Sequence, residues 1–91
     1  MAVIREQVRF SGRVQGVGFR YTCANLAHQQ GVTGWVRNEP DGSVLAELQG
    51  EQDRVTAVIN GVANGQFIRV AQIYRVPMSV VASDKKFHVS F

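Results

Sequence analysis

Residues 12–20, Gly12-Arg13-Val14-Gln15-Gly16-Val17-Gly18-Phe19-Arg20, separate two stretches of different hydrophobic period. Before them, residues 7–14 alternate, with Val8, Phe10, Gly12 and Val14 on one parity and Arg9, Ser11 and Arg13 on the other. That is the pattern of a strand with one buried face. After them, residues 20–30 contain neither Pro nor Gly, and Phe19, Cys23, Leu26, Ala27 and Gln30 fall near one helical stripe. The chain is thus restricted to folds in which the end of a strand feeds the start of a helix through a glycine loop. Glycine admits positive φ and close approach to the main chain, and successive N–H groups in such a loop can converge on an anion. A helix start adds its own free N–H groups. Arg20 supplies a planar guanidinium suited to phosphate oxygens. By spacing alone two readings stand: a tight strand-to-helix turn, or an anion cradle built from Gln15, Gly16, Val17, Gly18, Phe19 and Arg20.

The remaining chain reads as alternating elements. Residues 32–39 have strand composition, including Val32, Thr33, Trp35 and Val36. Glu39-Pro40-Asp41-Gly42 carries turn chemistry, and residues 43–49 place Val44, Ala46 and Leu48 on one face. Together they predict a β-hairpin. Residues 51–63 are the clearest helix, with Val55, Val58, Ile59 and Val62 at helical spacing and Glu51 and Asp53 at the positive end. Gly61 weakens the last turn. Asn64-Gly65 breaks the chain, residues 67–76 are rich in β-formers up to Pro77, and residues 78–85 read as loop. Residues 86–91 alternate Phe87, Val89 and Phe91 in a short last strand. The order βαββαβ plus a short C-terminal strand predicts an α+β, ferredoxin-like sandwich, an antiparallel sheet with both helices on one face. A right-handed first crossover makes strands 1 and 2 parallel with strand 3 between them. The glycine loop and Asn38, at the ends of strands 1 and 2, then share one sheet edge.

Composition excludes several classes. Ninety-one residues fit one domain over 1–91, long enough for a core without metals or disulfides. Cys23 is the only cysteine, so no internal disulfide forms. No stretch approaches the ~20 apolar residues of a membrane span, and the N-terminus lacks a secretory pattern, so a cytoplasmic protein with no membrane partner is expected. The net charge is +3 and eight of the ten cations are arginines, which favours oxyanion partners. The arginines are dispersed, which argues against nucleic acid. An RNA platform also requires exposed aromatics on the central strands, and residues 43–49 have none. A module that binds an anion without turnover remains a further alternative.

The titratable residues narrow the chemistry. Tyr21 stands where a dinucleotide fingerprint needs Gly, and the loop lacks Gly-Lys-Ser/Thr, so neither nucleotide motif applies. A cation at a helix start opposes the macrodipole by ~0.3–1 kcal/mol. Either a bound anion relieves Arg20, or its stem packs on the surface. Asn38 is either a turn residue or a group that orients water through one donor and one acceptor; an amide is no general base at neutral pH. Cys23 lies on the core stripe. His28 and His88 are isolated surface positions without metal-ligand spacing. Glu39 and Asp41 read as turn and solvation groups, and Trp35 as packed on the sheet. No metal or cofactor is expected.

The run from Gly12 to Arg20, followed by Gly31-Val32-Thr33-Gly34-Trp35-Val36-Arg37-Asn38 and Asp41-Gly42, resembles the acylphosphatases over nearly the whole chain. The closing Phe87-His88-Val89-Ser90-Phe91 is similar to that family's aromatic last strand. Gly65-Gln66 stands where many relatives carry Gly-Pro before the fourth strand. The resemblance implies metal-free hydrolysis of carboxyl phosphates such as acetyl phosphate, carbamoyl phosphate or 1,3-bisphosphoglycerate. It implies phosphoryl binding by Arg20 and the loop amides of residues 15–20, a water oriented by Asn38, and a monomer. The terminal carboxylate of Phe91 is expected to pair with Arg20.

Overall fold

The computed structural model describes residues 2–91. Its elements run β1 (Val3–Arg13), α1 (Phe19–Gln30), β2 (Thr33–Asn38), β3 (Val44–Glu51), α2 (Gln52–Ala63), β4 (Arg69–Met78) and β5 (Phe87–Val89). The five strands form one sheet in the order β4-β1-β3-β2-β5. β3 is antiparallel to both β1 and β2, β4 is antiparallel to β1, and β5 joins β2 in parallel. This is the expected ferredoxin-like α+β arrangement, except that the parallel β5 makes the sheet mixed rather than antiparallel throughout.

The core lies between the sheet and the two helices. Val8, Phe10, Val36, Val44, Ala46 and Leu48 come from the sheet, Phe19, Cys23 and Ala27 from α1, and Val55, Val58, Ile59 and Val62 from α2. Each fully buried large apolar side chain contributes about 1.5–3 kcal/mol. The Phe10 and Phe19 rings, 4.8 Å apart and tilted by 60°, join β1 to α1 directly beneath the glycine loop. Gly31 ends α1 at φ 68°, with its N–H on His28 O and the Val32 N–H on Ala27 O at 2.8 Å. This Schellman pattern satisfies carbonyls that the last turn would leave unpaired.

Strand boundaries differ from the sequence expectation: β3 continues to Glu51 rather than residue 49, β5 covers only Phe87–Val89 of residues 86–91, and the differences in β1 and β4 are larger. β1 begins at Val3 rather than residue 7, because the charged pair Arg5-Glu6 is accommodated within it. Arg5 is only 5% exposed, on the sheet face without helices. Its Nε donates to Glu47 at 2.7 Å and its Nη1 to Asp84 at 2.8 Å and Gln49 at 3.2 Å. Burial acts to lower the Arg5 pKa, but the bonds to Asp84 and Glu47 outweigh it and hold the guanidinium charged. Gln49 exchanges two further bonds with the Val81 main chain, so residues 79–86 are strapped across this face. β4 runs from Arg69 to Met78 rather than from 67 to 76, and passes through Pro77. It is an edge strand, where a missing N–H is tolerated.

Removing one member of a buried ion cluster strands the others and costs about 3–5 kcal/mol. Arg5→Ala, which leaves Glu47 and Asp84 without their cation, is therefore expected to lower the urea midpoint by the equivalent of about 3 kcal/mol with an unchanged slope. A loss under about 1 kcal/mol in equilibrium unfolding would show that the cluster is not buried in solution.

Candidate active site

The sheet register builds the site. Phe10 of β1 and Asn38 of β2 both lie opposite Val44 of β3. The two strands are therefore about 10 Å apart across β3, with their C-terminal ends on one edge. The glycine loop leaves the first of these ends and the hairpin turn leaves the second.

Within the loop, Gly16 and Gly18 take φ of 72° and 78°. Both lie in the left-handed region that a side chain disfavours. Gly18 is the N-cap of α1 and offers no side-chain cap. The first helical bond runs from Thr22 N–H to Gly18 O at 3.0 Å. Among the described residues, no protein acceptor pairs with the backbone N–H of Gln15, Gly16, Val17 or Gly18. The loop thus adds free donors to the positive end of α1.

Gln15 ties this loop to the hairpin. Its side-chain Nε2 donates to Glu39 O at 2.8 Å and Ser43 O at 2.9 Å. The hairpin turn is closed by Glu39 N–H to Ser43 O at 2.9 Å and Gly42 N–H to Glu39 O at 3.1 Å. Asp41 accepts from the Ser43 hydroxyl and from the Ser43 N–H, and these bonds hold its carboxyl below the ordinary range. Arg9 reaches the same turn and donates to Ser43 Oγ at 2.8 Å. Asn38 is thereby carried on a braced turn. Its half-buried side-chain amide has no protein hydrogen-bond partner among the described residues.

Arg20 is fixed from the other side. Its Nη1 donates to Ser90 O at 3.2 Å, and its guanidinium lies 4.8 Å above the Phe91 ring. Ser90 N–H is in turn bonded to Val36 O at 2.8 Å, so the tether ends in the β2 ladder. The expected pairing of Arg20 with the terminal carboxylate gives way to this arrangement. Among the described residues Arg20 forms no ion pair. The preceding carbonyl meets the guanidinium because Ser90 is already anchored beside Val36.

The other titratable residues fall away from this edge or are inert. Burial pushes the Cys23 thiol up to about 12, so it stays protonated at neutral pH and is no nucleophile. His28 and His88 are exposed. Trp35 is half-buried, with the Arg37 guanidinium 4.8 Å above its ring. Among the described residues, no group of three His, Cys, Asp or Glu side chains converges as metal ligands would. The roles of the Gln15 side chain and Ser90 escaped the sequence reading, and Phe91 meets Arg20 through its ring rather than its carboxylate. Each depends on a partner 24 or more positions away, where no local pattern reports it.

The acylphosphatase family model matches residues 6–91. An acylphosphatase from Oceanobacillus iheyensis is 42% identical over 88 residues, covering 93% of this chain and 96% of that protein. One from Geobacillus kaustophilus is 36% identical over 88 residues, covering 96% and 94%. The crystal structure of acylphosphatase from Bacillus subtilis superimposes with a TM-score of 0.90 at 29% identity, over 97% of this chain and 99% of that one. The match extends through the glycine loop, the hairpin and the last strand alike, and on that breadth the chain belongs to the acylphosphatase family.

Proposed function

We propose that this chain hydrolyses small acyl phosphates to a carboxylate and inorganic phosphate without a metal. The loop N–H groups of residues 15–20 and the guanidinium of Arg20 bind the phosphoryl group, and Asn38 orients the attacking water. What carries this reading is the group of unspent loop donors beside Arg20. A cation at a helix start is locally unfavourable, and a phosphoryl dianion satisfies the guanidinium and the N–H groups together.

The chemistry asks little more of the protein. The water oxygen forms a bond to phosphorus while the bond from phosphorus to the acyl oxygen breaks. The bonding pair leaves with the carboxylate. The water's proton passes to a phosphoryl oxygen. A carboxylate is a good leaving group, so a strong general acid is unnecessary. Positioning and charge stabilisation then account for most of the acceleration. The Asn38 amide accepts from the water through its oxygen and donates through its nitrogen, so it aligns the nucleophile without taking its proton. The Gln15 side chain keeps hairpin and loop at a fixed separation, on which the in-line geometry depends.

Purified protein is expected to release phosphate from acetyl phosphate and benzoyl phosphate at an undiminished rate with a chelator present. Binding of inorganic phosphate without turnover would instead mark an anion sensor. Arg20→Ala should reduce kcat/KM by about 10³-fold, and Arg20→Lys should restore little, since an ammonium lacks the planar fork. Asn38→Ala should leave KM near its native value and lower kcat by about 10²-fold. An Asn38→Ala variant with native kcat in steady-state assays would remove its assigned role.

A further inference from the structure

Among the described residues, five of the eight arginines have an acidic partner within ion-pair distance: Arg5, Arg9, Arg37, Arg54 and Arg75. The three without one are Arg13, Arg20 and Arg69, and all three flank the glycine loop. Arg20 opens α1. Arg13 is the last residue of β1 and lies directly opposite Arg69, the first residue of β4. Directly opposed side chains have Cβ atoms about 4.5–5.5 Å apart, and like charges there are destabilising. Both residues are exposed.

The backbone is arranged so that this pair is kept. The β1–β4 register shifts between Ser11 and Gly12, and without that shift Arg13 would face a different partner. Gly12 sits at φ 112°, and a Cβ there would collide with Arg69 O and lie 2.7 Å from Ala71 N. Only glycine lets β4 come this close. Arg69 is held by bonds from Nη1 to Gln66 O at 3.2 Å and Ile68 O at 3.0 Å. The other N–H groups of its fork remain unspent. Two residues of chain, spanning at most roughly 7 Å, separate Arg13 from Gln15 and the phosphoryl loop. The opposed pair therefore stands at the strand end from which that loop leaves.

We infer that Arg13 and Arg69 form a second anion subsite beside the loop, which selects acyl phosphates whose acyl chain bears a further anionic group. The inference rests on the reading of the loop as an acyl-phosphate site. An anion between the two arginines relieves their mutual repulsion, whereas a neutral acyl chain gains nothing from them. The pair therefore acts on substrate choice and leaves the chemical step alone.

The test compares succinyl phosphate with pentanoyl phosphate, a neutral chain of similar length, with uncatalysed rates subtracted. At low ionic strength kcat/KM for succinyl phosphate should exceed that for pentanoyl phosphate by about tenfold, mostly through KM, and added salt should shrink the ratio. In Arg13→Gln/Arg69→Gln the ratio should fall to about one, with pentanoyl phosphate turned over within about twofold of the native rate. That unchanged turnover also certifies the fold of the variant. The charge-retaining Arg13→Lys/Arg69→Lys should keep most of the preference. A native ratio at or below one, or a native ratio in the Gln variant, would overturn the subsite while leaving hydrolysis intact. Failure of the native protein to hydrolyse either substrate would instead overturn the activity itself, and the subsite with it.

Discussion

A strand can be antiparallel to two neighbours only if those neighbours run the same way. β3 lies between β1 and β2 and is antiparallel to both, so both must end on one edge. A crossover such as that from β1 through α1 to β2 takes the right-handed sense in nearly all folds because a right-twisted strand packs its following helix back on the sheet that way. From this constraint follow the meeting of loop and hairpin, the location of Asn38 opposite the end of β1, and the reach of Gln15 across β3. Phe10 and Phe19 set the height of the loop over the core. The hydrophobic core supplies the stability, and the direction of three strands supplies the site.

Charge is distributed with the same asymmetry. On the face without helices, Arg5 is buried and saturated by Glu47, Asp84 and Gln49. There it secures the segment that returns the chain to β5. At the hairpin, Arg9 and Arg37 share Glu39, with Asp41 also near Arg9. At the loop edge Arg13, Arg20 and Arg69 are free of acids among the described residues. A protein with a net charge of +3 thus has its acid-free arginines, among the described residues, gathered around one loop. The desolvated cluster at Arg5 holds the frame.

Arg20 shows how positioning is divided between remote parts of the chain. Its main chain belongs to the first turn of α1, its guanidinium bonds the carbonyl of Ser90, and Ser90 is secured to Val36. The parallel pairing of β5 with β2 thereby orients a side chain on α1. An arginine alone has about 2 kcal/mol of rotamer entropy to lose on binding. A carbonyl and the Phe91 ring restrict it beforehand, which lowers that loss in the phosphoryl contact proposed for it.

Much of this was legible in the sequence because it depends on local period and turn chemistry. Alternation in Val8 and Phe10, the helical spacing of Val55, Val58, Ile59 and Val62, and the turn at residues 39–42 each report an element through neighbours within one or two turns. Their order then admits few topologies, and that order puts the glycine loop and Asn38 on one sheet edge; the roles expected of Arg20 and Asn38 came from the family resemblance. Other features required the tertiary structure. The first strand read from residue 7, yet β1 begins at Val3, with Arg5 surrounded by Glu47, Asp84 and Gln49. Pro77 looked like a terminus, yet β4 passes through it because it is an edge strand. Gly61 looked like a weak point, yet it faces Leu26 of α1, and a Cβ there would lie 2.9 Å from Leu26 Cδ1 and require that side chain to shift. The partners of Gln15 and Arg20, and the opposition of Arg13 to Arg69, lie 24, 70 and 56 positions away along the chain. The sequence by itself determined the elements and their order, because those depend on near neighbours. The tertiary structure alone decided which polar groups were spent on one another and which were left unpaired among the described residues, because those pairings exist only once the sheet has closed.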